Sequence, residues 1–350
     1  MTNLQKQSQI KNLDFWNDSC TKADLEYAIE NGAVGVTTNP PLYLSALKTD
    51  MDRWEGDLKQ LIKDNPTDTD DQIAWKIVEK ITTFGAGMLH PIYEKTDGMK
   101  GKLSMQVNPK NYRNAQAMVE QALHFSSLAD NIQVKIPATK AGIEAMEEAT
   151  YRGVQVNATV SFTVPQTYQV AEAIERGLKR REAEGLPIDH MTPVCTIMVG
   201  RLDDYLKDVM KRDGLMLDPE IYEWAGVAVA KRAYKLYKEK GYRVTLLFGA
   251  YRNHLHWSQI LGEDTKVTIG HAWQVKINNC SIEVKSRIND PVNENYLKQL
   301  MTIEDFRKAY EPDGMVPADF DHYGAVIKTL KGFMGNYDDL VALVRSYMLV

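Results

Sequence analysis

The most chemically suggestive segment of the sequence is residues 131–137, where a lysine lies in an otherwise largely apolar run. Side chains in a strand alternate between two faces, so the aliphatic residues share one face and Lys135 lies on the other. Burial favours the neutral amine, and a neutral amine attacks a ketone to form a Schiff base. Such an adduct withdraws electrons, so an adjacent carbon–carbon bond can break without a metal or organic cofactor. The segment predicts either a Schiff-base lysine or a structural lysine paired with Asp18.

Polar side chains alternate with aliphatic ones in two further runs. Ser104 and Gln106 do so in one run, and Asn157 and Thr159 in another. If the aliphatic faces pack against helices, the polar faces turn inward. These polar side chains are then expected to converge with Lys135 inside one barrel.

The elements that must position these residues are short apolar or β-branched runs, each followed by a longer stretch with helical periodicity. The predicted strands are residues 12–17, 33–38, 102–107, 131–136, 154–160, 193–199, 243–248 and 266–269. Strands alternating with helices in this number predict an α/β fold, a single (β/α)8 TIM barrel with its site at the carboxyl ends of the strands. An open doubly wound sheet is less favoured, because no Gly-x-Gly-x-x-Gly turn follows the first strand.

The remaining length is assigned to additions on that barrel. Residues 43–99 are predicted to be a helical insertion between strands 2 and 3, and residues 273–350 a helical C-terminal extension. One domain over residues 1–350 is therefore expected. Another helix is predicted to begin at Pro109, since proline is favoured in the first turn.

The composition excludes several classes of function. The 350 residues are 44% hydrophobic and 25% charged, which is typical of globular proteins. A net charge of −5 gives no basic field, so no nucleic acid and no membrane partner is expected. Three scattered cysteines predict neither a disulfide framework nor a zinc site, and the polar N-terminus lacks a secretory signal. A cytoplasmic location is expected.

Five motifs resemble, in order and spacing, those of the transaldolase family. They are Gly35-Val-Thr-Thr-Asn-Pro-Pro-Leu42, Val134-Lys-Ile-Pro-Ala-Thr139 with Gly142-Ile143, Val156-Asn-Ala-Thr-Val160, Val199-Gly-Arg201 and Ala250-Tyr-Arg-Asn253. The resemblance covers about residues 14–269. It implies a (β/α)8 barrel, a class I mechanism through a lysine Schiff base, sugar phosphates as ligands and no cofactor or metal.

The resemblance also implies roles for single residues. Lys135 is the expected nucleophile, and Asp18 is the expected base for the C4 hydroxyl, with Asp14 as the fallback. Thr159 is expected to orient the catalytic water. The expected substrate-binding residues are Thr38, Asn39, Asn157, Thr196, Arg201 and Arg252, the two arginines forming a phosphate clamp. Simpler interpretations stay open for three of them: Arg201 capping a helix or pairing with Asp203, Asn39 forming a turn, and Asn157 being a buried amide with its hydrogen bonds satisfied.

Three positions depart from the family pattern. Gln106 stands where transaldolases have glutamate and where the related fructose 6-phosphate aldolases have glutamine. Glutamine positions a water but cannot carry its proton. At position 198 transaldolases have phenylalanine and the related aldolases have tyrosine, so Met198 matches neither group. Three roles are considered for His271: an acid–base group, a polar residue that lines the site, or a packing residue. A metal site at His254 and His256 is disfavoured by their spacing.

These observations lead to three functional hypotheses. The first is a transaldolase of the pentose phosphate pathway, which moves a dihydroxyacetone unit from sedoheptulose 7-phosphate or fructose 6-phosphate to an aldose phosphate. The second, motivated by Gln106, is an aldolase that releases free dihydroxyacetone or acts on a modified sugar phosphate. The third is a non-catalytic sugar-phosphate sensor. The long helical C-terminus also makes a homodimer a possible assembly.

Overall fold

In this computed structural model, which describes residues 1–349, eight parallel strands close into a barrel in sequence order. The strands are β1 (Asp14–Asn17), β2 (Gly35–Thr37), β3 (Lys102–Gln106), β4 (Ile132–Pro137), β5 (Val156–Ser161), β6 (Val194–Met198), β7 (Thr245–Gly249) and β8 (Lys266–Ile269). Each lies within or overlaps its predicted run. The predicted (β/α)8 barrel is confirmed.

Helices surround the barrel and follow it. Up to β8 they are α1 (Asn3–Gln7), α2 (Lys22–Glu30), α3 (Pro40–Thr49), α4 (Met51–Asp64), α5 (Asp70–Lys95), α6 (Ala115–Ser126), α7 (Lys140–Tyr151), α8 (Val164–Ala183), α9 (Val199–Asp213), α10 (Pro219–Tyr222), α11 (Ala225–Lys240) and α12 (Leu255–Ser258). After β8 they are α13 (His271–Asn278), α14 (Glu294–Leu300), α15 (Glu304–Tyr310), α16 (Pro317–Phe320) and α17 (Gly324–Met348). None of these helices, all within residues 1–349, has the length and apolar composition needed to cross a bilayer.

Side-chain caps fix where several helices begin. The Thr139 hydroxyl accepts a hydrogen bond from the Gly142 amide at 3.0 Å and so starts α7. The prediction that a helix begins at Pro109 is wrong. Pro109 starts a short 3-10 helix (Pro109–Asn111), and α6 begins later, where the Asn114 side chain accepts from the Ala117 amide at 3.0 Å.

The barrel interior contains a chain of uncharged hydrogen bonds across four strands, here called the neutral layer. The Ser104 hydroxyl donates to Gln133 Oε1 at 2.9 Å, and the Asn157 amide donates to Ser104 Oγ at 3.0 Å. The Thr196 hydroxyl donates to Asn157 Oδ1 at 2.7 Å. These contacts confirm that the polar faces of β3 and β5 turn inward, as their alternation predicts.

The last long helix, α17, lies across the face of the barrel at which the strands end. It contacts α3, α5 and α9, and it also reaches β5 and the 3-10 helix that follows β3. Its buried side includes Phe333 and Tyr337. The C-terminal extension therefore covers part of the face on which a (β/α)8 barrel carries its site.

Candidate active site

Lys135 lies in a row with Gln106 on β3 and Asn157 on β5, which are its direct register partners. Its side chain is 3% exposed, and Nζ donates to the Thr38 carbonyl oxygen at 2.9 Å. Burial lowers the pKa of the Lys135 amine to about 8, an effect that the Asp18 carboxylate opposes. Roughly one amine in ten is then neutral at pH 7. No ion pair joins Lys135 to Asp18 within residues 1–349, so the structural pairing considered from sequence is not present.

Asp18 is held at the mouth of the barrel by two neighbouring strands. Its backbone amide donates to the Ile269 carbonyl at 3.1 Å, which places the residue directly after β1. Its Oδ1 accepts a hydrogen bond from the Thr37 hydroxyl at 2.7 Å, and Thr37 Oγ1 lies 2.6 Å from Thr268 Oγ1. Thr37 was not among the predicted site residues, although its inward position on β2 follows from the alternation of that strand.

Asp14 lies at the opposite mouth of the barrel, so the prediction that it could replace Asp18 as the base is wrong. It is the first residue of β1, and its carboxylate contacts the ammonium groups of Lys266 and of Lys100, the latter at 2.7 Å. A carboxylate neutralised by two lysines at the amino ends of the strands is separated from Lys135 by the neutral layer. Asp14 therefore has a structural role.

Two buried polar atoms near Lys135 lack a protein partner. Gln106 Oε1 and Thr159 Oγ1 make no hydrogen bond within the described part of the chain, and the two side chains are 2% and 0% exposed. The residue after Thr159, Val160, has φ 53°, at the point where the register between β5 and β6 shifts. A β-branched residue rarely adopts this conformation, and such irregularities re-aim side chains at functional sites. The two orphaned oxygens can hold a water or a substrate group.

The remaining predicted polar residues differ in how many of their polar atoms already have hydrogen-bond partners. Asn157 uses both ends of its amide in the neutral layer, with Thr196 as one partner. Asn39 caps α3 by accepting from the Leu42 amide at 3.1 Å, which leaves its amide nitrogen without a partner among residues 1–349. The Thr38 hydroxyl lies 2.7 Å from both the Tyr43 hydroxyl and the Ser104 carbonyl. Thr38 therefore holds Lys135 through its carbonyl, while its hydroxyl is occupied.

Arg201 and Arg252 line one side of a cavity of about 250 Å³. Arg252 Nε donates to Asp204 Oδ2 at 2.8 Å, and Arg201 Nε has no partner in residues 1–349. Burial lowers the pKa of Arg201, and the neighbouring charge of Arg252 adds to that shift. Two guanidinium groups this close favour an anion between them.

Gly200 explains how two distant loops bring these arginines together. A Cβ at Gly200 would lie 2.2 Å from the Ala250 carbonyl oxygen and 2.6 Å from Arg252 Cγ. Ala250 itself has φ 63°, a conformation that non-glycine residues rarely adopt. The Val-Gly-Arg motif thus needs its glycine for the close approach of the loop that follows β7.

The helix α17 adds residues to the cavity that the sequence analysis did not identify. Lys328 and Thr329 complete its lining, and the ring of Phe333 lies 5.0 Å from Arg201 Cζ. Lys328 Nζ is 2.6 Å from Asp208 Oδ2 on α9. Three cations and the single carboxylate of Asp204 line the cavity, so it favours a dianion such as a phosphate group.

Comparisons with known proteins identify the family of the chain. The model of the family Transaldolase/Fructose-6-phosphate aldolase matches residues 15–315. The chain belongs to this family.

Several curated relatives of the chain are named transaldolases. Transaldolase 1 of Streptomyces avermitilis is 28% identical over 268 residues, 73% of this chain and 70% of that protein. The transaldolase of Thiobacillus denitrificans is 30% identical over 212 residues, 60% of this chain and 58% of that protein. That of Mycobacterium bovis is 28% identical over 229 residues, 65% of this chain and 61% of that protein.

Two positions at which the chain departs from the family pattern have structural explanations. His271 is the first residue of α13, and its ring packs edge-on against Tyr27 with ring centroids 4.8 Å apart. Its Nδ1 lies 3.5 Å from Asp24 Oδ1. Of the roles considered for His271, packing agrees with these contacts. Met198 ends β6 and is buried, so it supplies an apolar surface where family members carry an aromatic ring.

The pairing of Arg201 with Asp203, considered from the sequence, is wrong for this member of the family. Asp203 is fully buried and contacts His256 instead, with Oδ2 and Nε2 2.7 Å apart. His254 is exposed, so the two histidines face different surroundings.

Proposed function

We propose that the chain is a transaldolase that transfers a dihydroxyacetone unit from a ketose phosphate to an aldose phosphate through a Schiff base on Lys135. The observation that carries this proposal is the buried Lys135 amine in a row with Gln106 and Asn157, at the mouth that also holds Asp18. Membership of the family and relatives named transaldolase support it.

In the proposed reaction, the neutral Lys135 amine attacks the C2 ketone of the donor, and loss of water gives a protonated Schiff base. Asp18 accepts the proton of the C4 hydroxyl, the C3–C4 bond breaks, and the aldose phosphate leaves with a new carbonyl group. The bond electrons form an enamine on Lys135. Attack of this enamine on the acceptor aldehyde reverses these steps, and water then releases the new ketose.

The binding residues fit a polyhydroxylated phosphate ester. The free amide nitrogen of Asn39 and the oxygen of Gln106 are available to sugar hydroxyls or water. Arg201 and Arg252 hold the phosphate at the far end of the chain of carbons. Sedoheptulose 7-phosphate and fructose 6-phosphate meet these requirements as donors, and the proposed transfer is a reaction of the cytoplasmic pentose phosphate pathway.

Gln106 favours a second candidate, an aldolase that releases free dihydroxyacetone. The related fructose 6-phosphate aldolases have glutamine at this position, and an amide holds a water beside the Schiff base without exchanging a proton with it.

The test is a donor panel assayed with and without an aldose phosphate acceptor. We expect turnover that requires the acceptor, and borohydride with donor alone should add a reduced three-carbon unit to Lys135 by mass. An unlabelled Lys135 contradicts both candidates. Free dihydroxyacetone formed equally fast without acceptor supports the aldolase instead. Gln106→Glu should shift this partition if the amide controls the water.

A further inference from the structure

A buried pair of ionisable side chains, Asp203 and His256, lies behind the arginine cavity and takes no part in the reaction proposed above. Both side chains are 0% exposed. His256 Nε2 is 2.7 Å from Asp203 Oδ2, and His256 Nδ1 accepts a hydrogen bond from the backbone amide of Arg252 at 3.0 Å. One imidazole thus connects α9 to the backbone of the residue that carries a clamp guanidinium.

The hydrogen bonds fix the protonation of this pair. An amide N–H can only donate, so Nδ1 of His256 must be the unprotonated nitrogen and Nε2 must carry the hydrogen. Asp203 Oδ2 accepts that hydrogen. The amide nitrogen of Asn253 lies farther away, 3.4 Å from Nε2, so the carboxylate sets the tautomer.

Asp203 is held by a second donor. Its Oδ1 accepts from the backbone amide of Gly226 at 2.8 Å. A Cβ at Gly226 would lie 2.4 Å from the Val199 carbonyl oxygen, so the first turn of α11 approaches α9 as closely as a glycine allows. Because both oxygens of Asp203 must accept, a carboxylate fits here and an asparagine, with one acceptor oxygen, does not.

The loop that this pair touches needs an anchor. Ala250, two residues before Arg252, has the unfavourable φ of 63°, and strained backbone persists only where its surroundings over-determine it. The Arg252 side chain itself is exposed and contacts the partly exposed Asp204, and an ion pair that is open to water contributes little. The imidazole contact is buried and directional.

We propose that Asp203 and His256 are positioning residues for the anion clamp: Asp203 selects the tautomer of His256, and His256 fixes the backbone from which Arg252 reaches the phosphate. This inference rests on the proposed function for its choice of ligand.

The test separates the two hydrogen bonds of the imidazole. His256→Asn retains an acceptor near the Nδ1 position, whereas His256→Gln retains a donor near the Nε2 position and loses the acceptor. We expect His256→Gln to weaken inorganic phosphate binding, and to raise KM for a ketose phosphate, by about tenfold, with kcat changed less than about twofold. His256→Asn should weaken phosphate binding, and raise KM, by only about threefold. His254→Asn, at the exposed neighbour, should match the wild type.

One further measurement, together with phosphate binding, keeps this inference independent of the proposed function. Amide hydrogen exchange at Arg252 should accelerate in His256→Gln and in Asp203→Asn, whether or not any sugar phosphate is turned over. If the wild type turns over no ketose phosphate, the proposed function fails, while faster exchange with weaker phosphate binding still supports the positioning role. Unchanged exchange at Arg252, or phosphate binding in His256→Gln equal to that of the wild type, overturns it. If His256→Gln does not fold, Asp203→Asn decides by the same two readouts.

Discussion

Two buried lysines at opposite mouths of the barrel have similarly lowered pKa values and different surroundings. Burial lowers the pKa of Lys102 to about 7, helped by the charge of Lys266, and that of Lys135 to about 8. Lys102 Nζ lies 3.3 Å from Gln155 Oε1, 3.3 Å from the His190 carbonyl oxygen and 2.5 Å from Thr192 Oγ1. Lys135 Nζ has the Thr38 carbonyl as its one acceptor within residues 1–349.

The difference shows that a lowered pKa does not by itself identify a nucleophile. All three N–H groups of the Lys102 ammonium have acceptors, so its surroundings suit a fixed donor at the base of the barrel. Lys135 has donors to spare, and the oxygens of Gln106, its register partner on β3, and of Thr159 have no hydrogen-bond partner within residues 1–349. The two sites are distinguished by the unsatisfied hydrogen-bonding groups of Lys135 and its neighbours, and not by the pKa of the amine.

Removal of each lysine should have different consequences at the two mouths. Lys135→Ala should lower kcat by on the order of 10⁴-fold or more, because no covalent intermediate can form. Lys102→Met should leave kcat within about threefold and lower the free energy of unfolding by about 1–3 kcal/mol, since three hydrogen bonds are lost and Thr192 Oγ1 is left without a donor. Steady-state kinetics and urea denaturation measure the two effects. A Lys102→Met enzyme as inactive as Lys135→Ala would refute the distinction.

The same contrast is expected for the carboxylates at the two mouths, Asp18 and Asp14. Asp18→Asn should reduce kcat by about 10²–10⁴-fold, because it removes the base for the C4 hydroxyl. Asp14→Asn should instead destabilise the fold by about 3–5 kcal/mol, since it leaves Lys266 charged and poorly compensated. Measurements of thermal unfolding and of kcat distinguish the two variants. Loss of turnover in a fully folded Asp14→Asn protein would return Asp14 to the list of candidate bases.

The labelling of the two lysines should also differ in its dependence on pH. Since only the neutral amine reacts, trapping of Lys135 by ketone and borohydride should rise about 50-fold between pH 6 and 8 and then level off. The sign follows from a pKa near 8, below which the ammonium form dominates. Lys102 should stay unlabelled over this range, although a larger share of its amine is neutral. Peptide mass mapping reads both sites in one sample, and label on Lys102 would contradict its assigned role.

A third lysine, Lys328, gives the smallest expected effect. Lys328→Ala should raise KM for a phosphorylated donor by about threefold, because a half-exposed cation contributes little in water. The effect should shrink as salt screens the charge. Lys331→Ala, exposed one turn along the same helix, is the matched control. Equal KM values for the two variants would remove Lys328 from the anion site.

Much of this arrangement follows from local patterns in the sequence. The eight runs of apolar residues predict the strands, and alternation within residues 131–137 correctly turns Lys135 inward. Both are local properties, with a period fixed by the backbone. Alternation could also have indicated Thr37, whose hydroxyl contacts Asp18.

What the sequence leaves open depends on packing between distant segments. An apolar stripe on α17 predicts a buried face but not the surface that buries it, so neither Lys328 nor Phe333 could be placed near Arg201. Proline is compatible with the first turn of either helix type, which explains the error at Pro109. The left-handed Val160 and the imidazole bond to Arg252 depend likewise on tertiary context.

The neutral layer has an electrical consequence for the barrel. Its hydroxyl and amide groups, those of Ser104, Gln133, Asn157 and Thr196, neither gain nor lose a proton near neutral pH. A proton taken up by Lys102 thus meets no titratable group in this layer on the way to Lys135. Beyond burial, the charged groups that shift the two lysines also differ: Lys266 lowers the pKa of Lys102, whereas Asp18 raises and Arg201 lowers that of Lys135.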